Sequence, residues 1–176
     1  MFSQARYSDH RRAFTLVEML VTLAIIIILS GLLIGNFEHL WNSVARARCT
    51  SNLRFLHGAF NSYTQDNNYW PQLPPDLPKI GRVYEQWWID TMKPYGVGEE
   101  AWLCPSTKKQ AAAAPEKERL LIHYSPTQFD AFRRRPYQWS AMPWLVEVGG
   151  PHPGGALMIF PDGSVRQIND FMPASN

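Results

Sequence analysis

From Met19 to Phe37 no residue carries a charge, and within that stretch Leu23-Ala24-Ile25-Ile26-Ile27-Ile28-Leu29 is continuous hydrocarbon. Extended back to Phe14, the run is long enough to cross a bilayer core as a helix, for which about 20 residues suffice. One face of a soluble core rarely needs so long an uncharged run. Further on the period changes. Cys49, Leu53, Leu56, Phe60 and Tyr63 recur at spacings of three and four, while Arg46, Arg48, Arg54 and Gln65 at other positions are polar, which predicts an amphipathic helix with one buried stripe. Phe37, Trp41 and Val44 extend the stripe toward the apolar run. No proline interrupts Phe14 to Tyr69, so a single long helix is expected, stopped by Asn67-Asn68-Tyr69-Trp70-Pro71.

After Tyr69 the pattern shortens. Tyr84 to Tyr95 predicts a short helix ended by Pro94 and Gly96, and Ala111 to Ala114 a surface loop or frayed helix. Leu120–Tyr124, Trp144–Val148, Ala156–Phe160 and Ser164–Ile168 read as short strands. Asp162-Gly163 is a tight-turn signal that makes the last two a hairpin. A long helix followed by a small antiparallel sheet is an α+β class. The expected division is a basic leader over 1–13, an apolar membrane helix over 14–36, its amphipathic continuation over 37–69, and a globular α+β head over 70–176.

Composition adds little. The net charge of +2 and the sequence pI of about 8.6 are too mild to imply nucleic acid or anionic lipid. The mean hydropathy of −0.26 conceals a chain with one lipid-like segment and a polar remainder. Arg6, Arg11 and Arg12 precede the apolar run and Arg46, Arg48 and Arg54 follow it, so charge alone does not orient the chain. A secretory signal peptide fits poorly: its small-residue site, Ser43-Val44-Ala45, lies well beyond the apolar run.

Glu18 stands out. An acid within an apolar spanning segment costs roughly 2.5–3.5 kcal/mol at a helix centre on insertion scales, and less near an end. A cut between Ala13 and Phe14 would create an α-amino group at the depth of a neighbouring copy's Glu18, and the two charges could pair. Gly31 and Gly35 form a small-xxx-small pair. It permits close helix approach, or it reflects the general frequency of glycine in membrane helices.

Arg11-Arg12-Ala13-Phe14-Thr15-Leu16-Val17-Glu18-Met19-Leu20 closely resembles the processing site of type IV prepilins and type II secretion pseudopilins. The resemblance implies that a membrane peptidase cuts before Phe14 and methylates the new amine, and that Glu18 serves assembly. It also implies a head outside the cytoplasm on a single-pass bacterial inner-membrane helix, in the lollipop arrangement of pilins. The chain then assembles with identical or related subunits, through an inner-membrane platform, into a type IV pilus-like or type II secretion filament of the cell envelope or surface. Ala13 departs from the family, which usually has Gly there. His152 and, after nine intervening residues, Asp162-Gly163 resemble the H-x9-DG ending of one branch; Arg48-Cys49-Thr50-Ser51-Asn52-Leu53-Arg54 and Leu103-Cys104-Pro105 resemble that branch too.

If the head is exported, Cys49 and Cys104 lie in an oxidising space, where one bridge is the expectation and two buried thiols the alternative. A strand between His152 and Asp162 could bring them together as a metal-ligand pair. Zinc wants three or four ligands, with Glu147 and Asp170 the only nearby additions, so a structural role is expected for His152, Asp162 and Gly163, with no metal and no cofactor. No nucleophile-and-base motif or phosphate-cradling glycine loop is present, and catalysis is not expected. Arg133-Arg134-Arg135, flanked by Phe132, Tyr137 and Trp139, is the one basic aromatic cluster. It reads as solvated loop charge in preference to a nucleic-acid grip. The alternative function is a membrane-anchored extracytoplasmic module that binds glycan or DNA and does not polymerise; it needs neither Glu18 nor the cut.

Overall fold

The computed structural model describes residues 14–129 and 136–171, apart from the side chains of residues 32–39 and 113. The chain divides into two units, Met1–Leu40 and Trp41–Asn176. Both carry part of one helix, α1 (Leu16–Asn67), which is 52 residues long.

In the first unit the described side chains of α1 form no core. Leu16, Val17, Met19, Ile26, Ile28 and Leu29 are each more than half exposed, on every side of the helix. Among the described residues no helix is long and apolar enough to cross a membrane; the described side chains of α1 break off after Gly31 and resume at Leu40.

In the second unit the amphipathic stripe is found as expected. Cys49, Leu53, Leu56 and Phe60 are wholly buried and Tyr63 packs against the same core. Its extension is not. Trp41 is half exposed and Val44 is 42% exposed, whereas Ala45, one turn before Cys49, is buried; Phe37 lies outside the described side chains. The stripe is carried from Cys49 by the i−4 position, and there a small residue lies against the head. Helix α1 ends because Asn68 turns left-handed, at φ 62°, a conformation asparagine tolerates at a helix C-terminus.

The head folds around Phe60. Trp70 stacks on it at 4.7 Å, Trp88 lies tilted at 5.7 Å and Trp102 edge-on at 6.2 Å. Helix α2 (Arg82–Met92) brings Trp88 and Met92 to this cluster. A 3-10 turn, Lys93–Tyr95, continues it to left-handed Gly96, so the predicted helix is found shifted by two residues at its start. Helix α3 (Pro105–Gln110), not anticipated, opens with Pro105 in its first turn and runs into a 3-10 turn over Ala111–Ala113. The alanines are thus helical at the end of α3.

Four three-residue strands, β1 (Tyr124–Pro126), β2 (Leu145–Glu147), β3 (Leu157–Ile159) and β4 (Val165–Gln167), form an antiparallel sheet in sequence order. The last three lie inside the predicted ranges. The first does not: Leu120–Ile122 are not strand. The Leu121 amide is taken by Glu85 Oε2 at 2.6 Å and the His123 amide by the Trp102 carbonyl at 2.8 Å, so this backbone joins the sheet only from Tyr124. The fold is α+β.

The β3–β4 connection follows the Asp162-Gly163 signal. The Gly163 amide donates to the Phe160 carbonyl, the Phe160 amide to the Ser164 carbonyl, and Asp162 Oδ1 accepts from the Ser164 amide at 2.9 Å. Gly163 sits at φ 77°, where a Cβ would be strained. This is a three-residue hairpin loop closed by a left-handed glycine.

Candidate functional site

Two places in the chain concentrate chemistry. The first is the start of α1. Ala13 lies outside the described residues; Phe14 is exposed and Thr15 immediately precedes the helix. The Thr15 amide and hydroxyl both donate to Glu18 Oε2 at 3.0 Å, and the Glu18 amide donates back to Thr15 Oγ1 at 3.3 Å. This is a reciprocal capping box, with the acid three residues after a threonine N-cap. Sequence reasoning treated Glu18 as a bare acid awaiting an outside cation. The Thr-x-x-Glu spacing was the available signal that it first has a partner within its own chain. Gly31 has open space around its backbone, and the surroundings of Gly35 lie outside the described side chains.

The second place is inside the head. Cys49, on the buried stripe of α1, is joined by a disulfide to Cys104, the residue that precedes α3, with Cα atoms 5.2 Å apart. Both sulfurs are fully buried. The bridge ties the long helix to the segment that carries Trp102. His123 supports it, its Nδ1 accepting from the Cys104 amide at 3.0 Å; burial lowers the pKa of this histidine.

His152 reaches the same spot. Its Nε2 lies 3.5 Å from Cys104 Sγ and 3.2 Å from Glu147 Oε1. Glu147 is on β2, at 2% exposure, and its Oε2 accepts the Leu157 amide at 3.1 Å across the β2–β3 pair. The same carboxylate's Oε1, although near the imidazole, has no aligned hydrogen bond among the described residues. Burial raises the Glu147 pKa to about 7, against the lowering effect of the Leu157 amide. Burial, and then the charge of Arg46, lower that of His152. Both shifts favour the uncharged forms, so the contact is a close approach of two desolvated groups more than an ion pair.

The structure does not bring His152 and Asp162 together as a ligand pair. His152 points to Cys104 and Glu147, while Asp162 is bound into the hairpin loop, its pKa lowered by hydrogen bonds from Ser164. The strand between them separates them, because it inserts β3 into the sheet with the loop at its far end. Asp170 is likewise engaged elsewhere, accepting from the Gln167 amide. Gly163 faces His57, whose Nε2 lies 3.1 Å from the Pro161 carbonyl and whose ring stacks on Trp144. Of the basic aromatic cluster, Phe132 and Arg133–Arg135 lie outside the described residues. Tyr137 is held in the head by hydrogen bonding to Asn61 and edge packing on Trp144.

Against known proteins, residues 8–34 match a family model described as the Prokaryotic N-terminal methylation motif. No curated protein and no solved structure matches the chain. The matched segment brackets the Ala13–Phe14 junction and includes Glu18 and Gly31. From Leu16 onward the matched segment lies on α1, whose described apolar side chains there are exposed.

Proposed function

We infer that this chain is a structural subunit of a pilin-like filament, made as a precursor, cut before Phe14 by a prepilin peptidase and methylated there. In this reading 1–13 is the leader, 14–36 spans the inner membrane until assembly, 37–69 carries the helix into the head, and 70–176 is the head outside the cytoplasm. The observation that carries it is the methylation motif over residues 8–34. Its physical support is an apolar helix whose Leu16–Leu29 side chains pack on no core among the described residues, the kind of surface that lipid or a neighbouring subunit covers. Identical or related subunits, processing enzyme and inner-membrane assembly platform are the partners this implies, for either a type IV pilus or a type II secretion pseudopilus. The role requires no catalytic residues.

Mass spectrometry of the mature chain from peptidase-competent cells tests it. A methylated Phe14 at the N-terminus is expected. An intact Met1, or a chain starting at Arg46, would favour an anchored binding module or a secreted protein and would sink the filament reading.

A further inference from the structure

The sulfurs of Cys49 and Cys104, a ring nitrogen of His152 and a carboxylate oxygen of Glu147 all lie within 4.8 Å of one another, and all four residues are buried. They come from four separate places in the chain: α1, the approach to α3, β2 and the loop before β3. Each is a ligand type for a borderline-soft divalent cation, and two thiolates, an imidazole and a carboxylate together make a complete tetrahedral set. A tetrahedral zinc ion with bonds of about 2.0–2.3 Å places its ligand atoms roughly 3.3–3.8 Å apart. His152 Nε2 already stands 3.5 Å from Cys104 Sγ and 3.2 Å from Glu147 Oε1. An independent sign comes from Glu147. Its carboxylate is oriented by the Leu157 amide through one oxygen, while the other is buried, 3.2 Å from His152 Nε2, and without an aligned hydrogen bond among the described residues. A buried carboxylate oxygen without an aligned hydrogen bond is costly, and either a proton or a cation can satisfy it.

We propose that the thiol form of this chain is a zinc site, held by Cys49, Cys104, Glu147 and His152, and that the disulfide and the metal are mutually exclusive occupants of the same point. Two cysteine sulfurs joined to each other have no thiolate charge to offer a cation. Conversion from the metal form requires an oxidant of the disulfide class. The Cys49 thiolate attacks one sulfur of that oxidant and expels a thiolate; the Cys104 thiolate then attacks Cys49 Sγ and expels the second. Two electrons pass to the oxidant, the Cys49–Cys104 bond forms, and zinc leaves as its sulfur ligands are consumed. Because both sulfurs are fully buried, oxidant and metal compete before the head closes, while the chain is newly made. Either outcome fastens α1 to the approach to α3. The disulfide form offers no such set of ligands, and the zinc site belongs to the reduced chain. This inference does not depend on the filament reading.

The test uses the full-length chain without a histidine tag, refolded anaerobically in detergent micelles with its thiols reduced, and titrated with zinc chloride against a chromophoric chelator. One equivalent of zinc per chain is expected, with none taken up by the oxidised chain. Cobalt(II) in place of zinc should give thiolate charge-transfer absorption in the near ultraviolet and the intense visible bands of a tetrahedral ion. His152→Ala and Glu147→Gln should each weaken zinc binding by at least about tenfold while the cysteines remain. Failure of the reduced chain to take up stoichiometric zinc, or equal uptake by the oxidised chain, overturns the proposal. So does unchanged affinity in both variants. Should a variant fail to refold, the cobalt spectrum of the wild-type chain decides, and weak octahedral bands count against the site.

Discussion

Thr15 and Glu18 satisfy each other at the start of α1: two Thr15 donors meet one carboxylate oxygen, and the Glu18 amide returns the bond to the Thr15 hydroxyl. The geometry shows the acid capping the helix, and the filament reading adds a charge offered to a neighbouring amine. Substitution can separate the two.

Glu18→Gln keeps a residue able to close the capping box and removes the charge. It should be cleaved and inserted normally yet enter filaments poorly, as should Glu18→Ala, because the neighbour's amine is left as an unpaired charge in low dielectric. Glu18→Asp should be partial. Thr15→Ala, which costs about 0.5–2 kcal/mol of helix capping but keeps the acid, should assemble far better than Glu18→Gln. Mature-chain mass and the sheared filament fraction read both steps. Wild-type incorporation of Glu18→Gln would leave the carboxylate without an assembly role.

The Cys49–Cys104 bridge closes a sequence separation of 55 residues. In the chain-entropy model a loop of that size is worth about 4 kcal/mol, a large share of the stability of a small head. A Cys49→Ala, Cys104→Ala double variant should lose roughly that much in chemical denaturation of the full chain. Alkylation of unreduced, denatured envelope material should find neither thiol. Two fully alkylated cysteines would show that the bridge does not form in the cell.

The buried indoles are not equivalent. Trp70 Nε1 donates to the Thr127 carbonyl at 2.9 Å, whereas Trp102 Nε1 has no partner among the described residues. Trp70→Phe breaks a buried hydrogen bond and Trp102→Phe removes an orphaned donor. Beyond the ring volume both lose, the first should be more destabilising by about 1–3 kcal/mol. Equal denaturation midpoints would contradict this assignment.

Asp162 should give the hairpin loop a mild acid sensitivity. Its folded pKa is depressed by the Ser164 hydrogen bonds, so its contribution is present above the ordinary carboxylate pKa and is lost as pH falls through the lower, folded value. Amide exchange at Ser164 should accelerate across that acidic window in the wild type, and Asp162→Ala should flatten the change. Gly163→Ala should destabilise the loop at every pH, because φ 77° strains any side chain.

Periodicity and turn chemistry are local properties, and what they determine was legible in the sequence alone. The three-four spacing from Cys49 to Tyr63 marked the buried face of α1, because helix geometry puts those positions on one side whatever they pack against. Asp162-Gly163 specified the hairpin, because only certain residues tolerate its backbone. Arg11 to Leu20 pointed to the methylation motif that the match over residues 8–34 supports. Other features required tertiary structure. Leu120–Ile122 looked like strand and was claimed instead by Glu85 and Trp102, groups remote in sequence whose approach no local pattern encodes. Likewise, nine residues separate His152 from Asp162, yet β3 carries them apart. The partners of His152 come from 48 residues upstream at Cys104 and from the neighbouring strand at Glu147. Which buried polar groups meet depends on how strands pair and where the disulfide pins α1, and those long-range contacts are chosen by the packing of the whole head around Phe60.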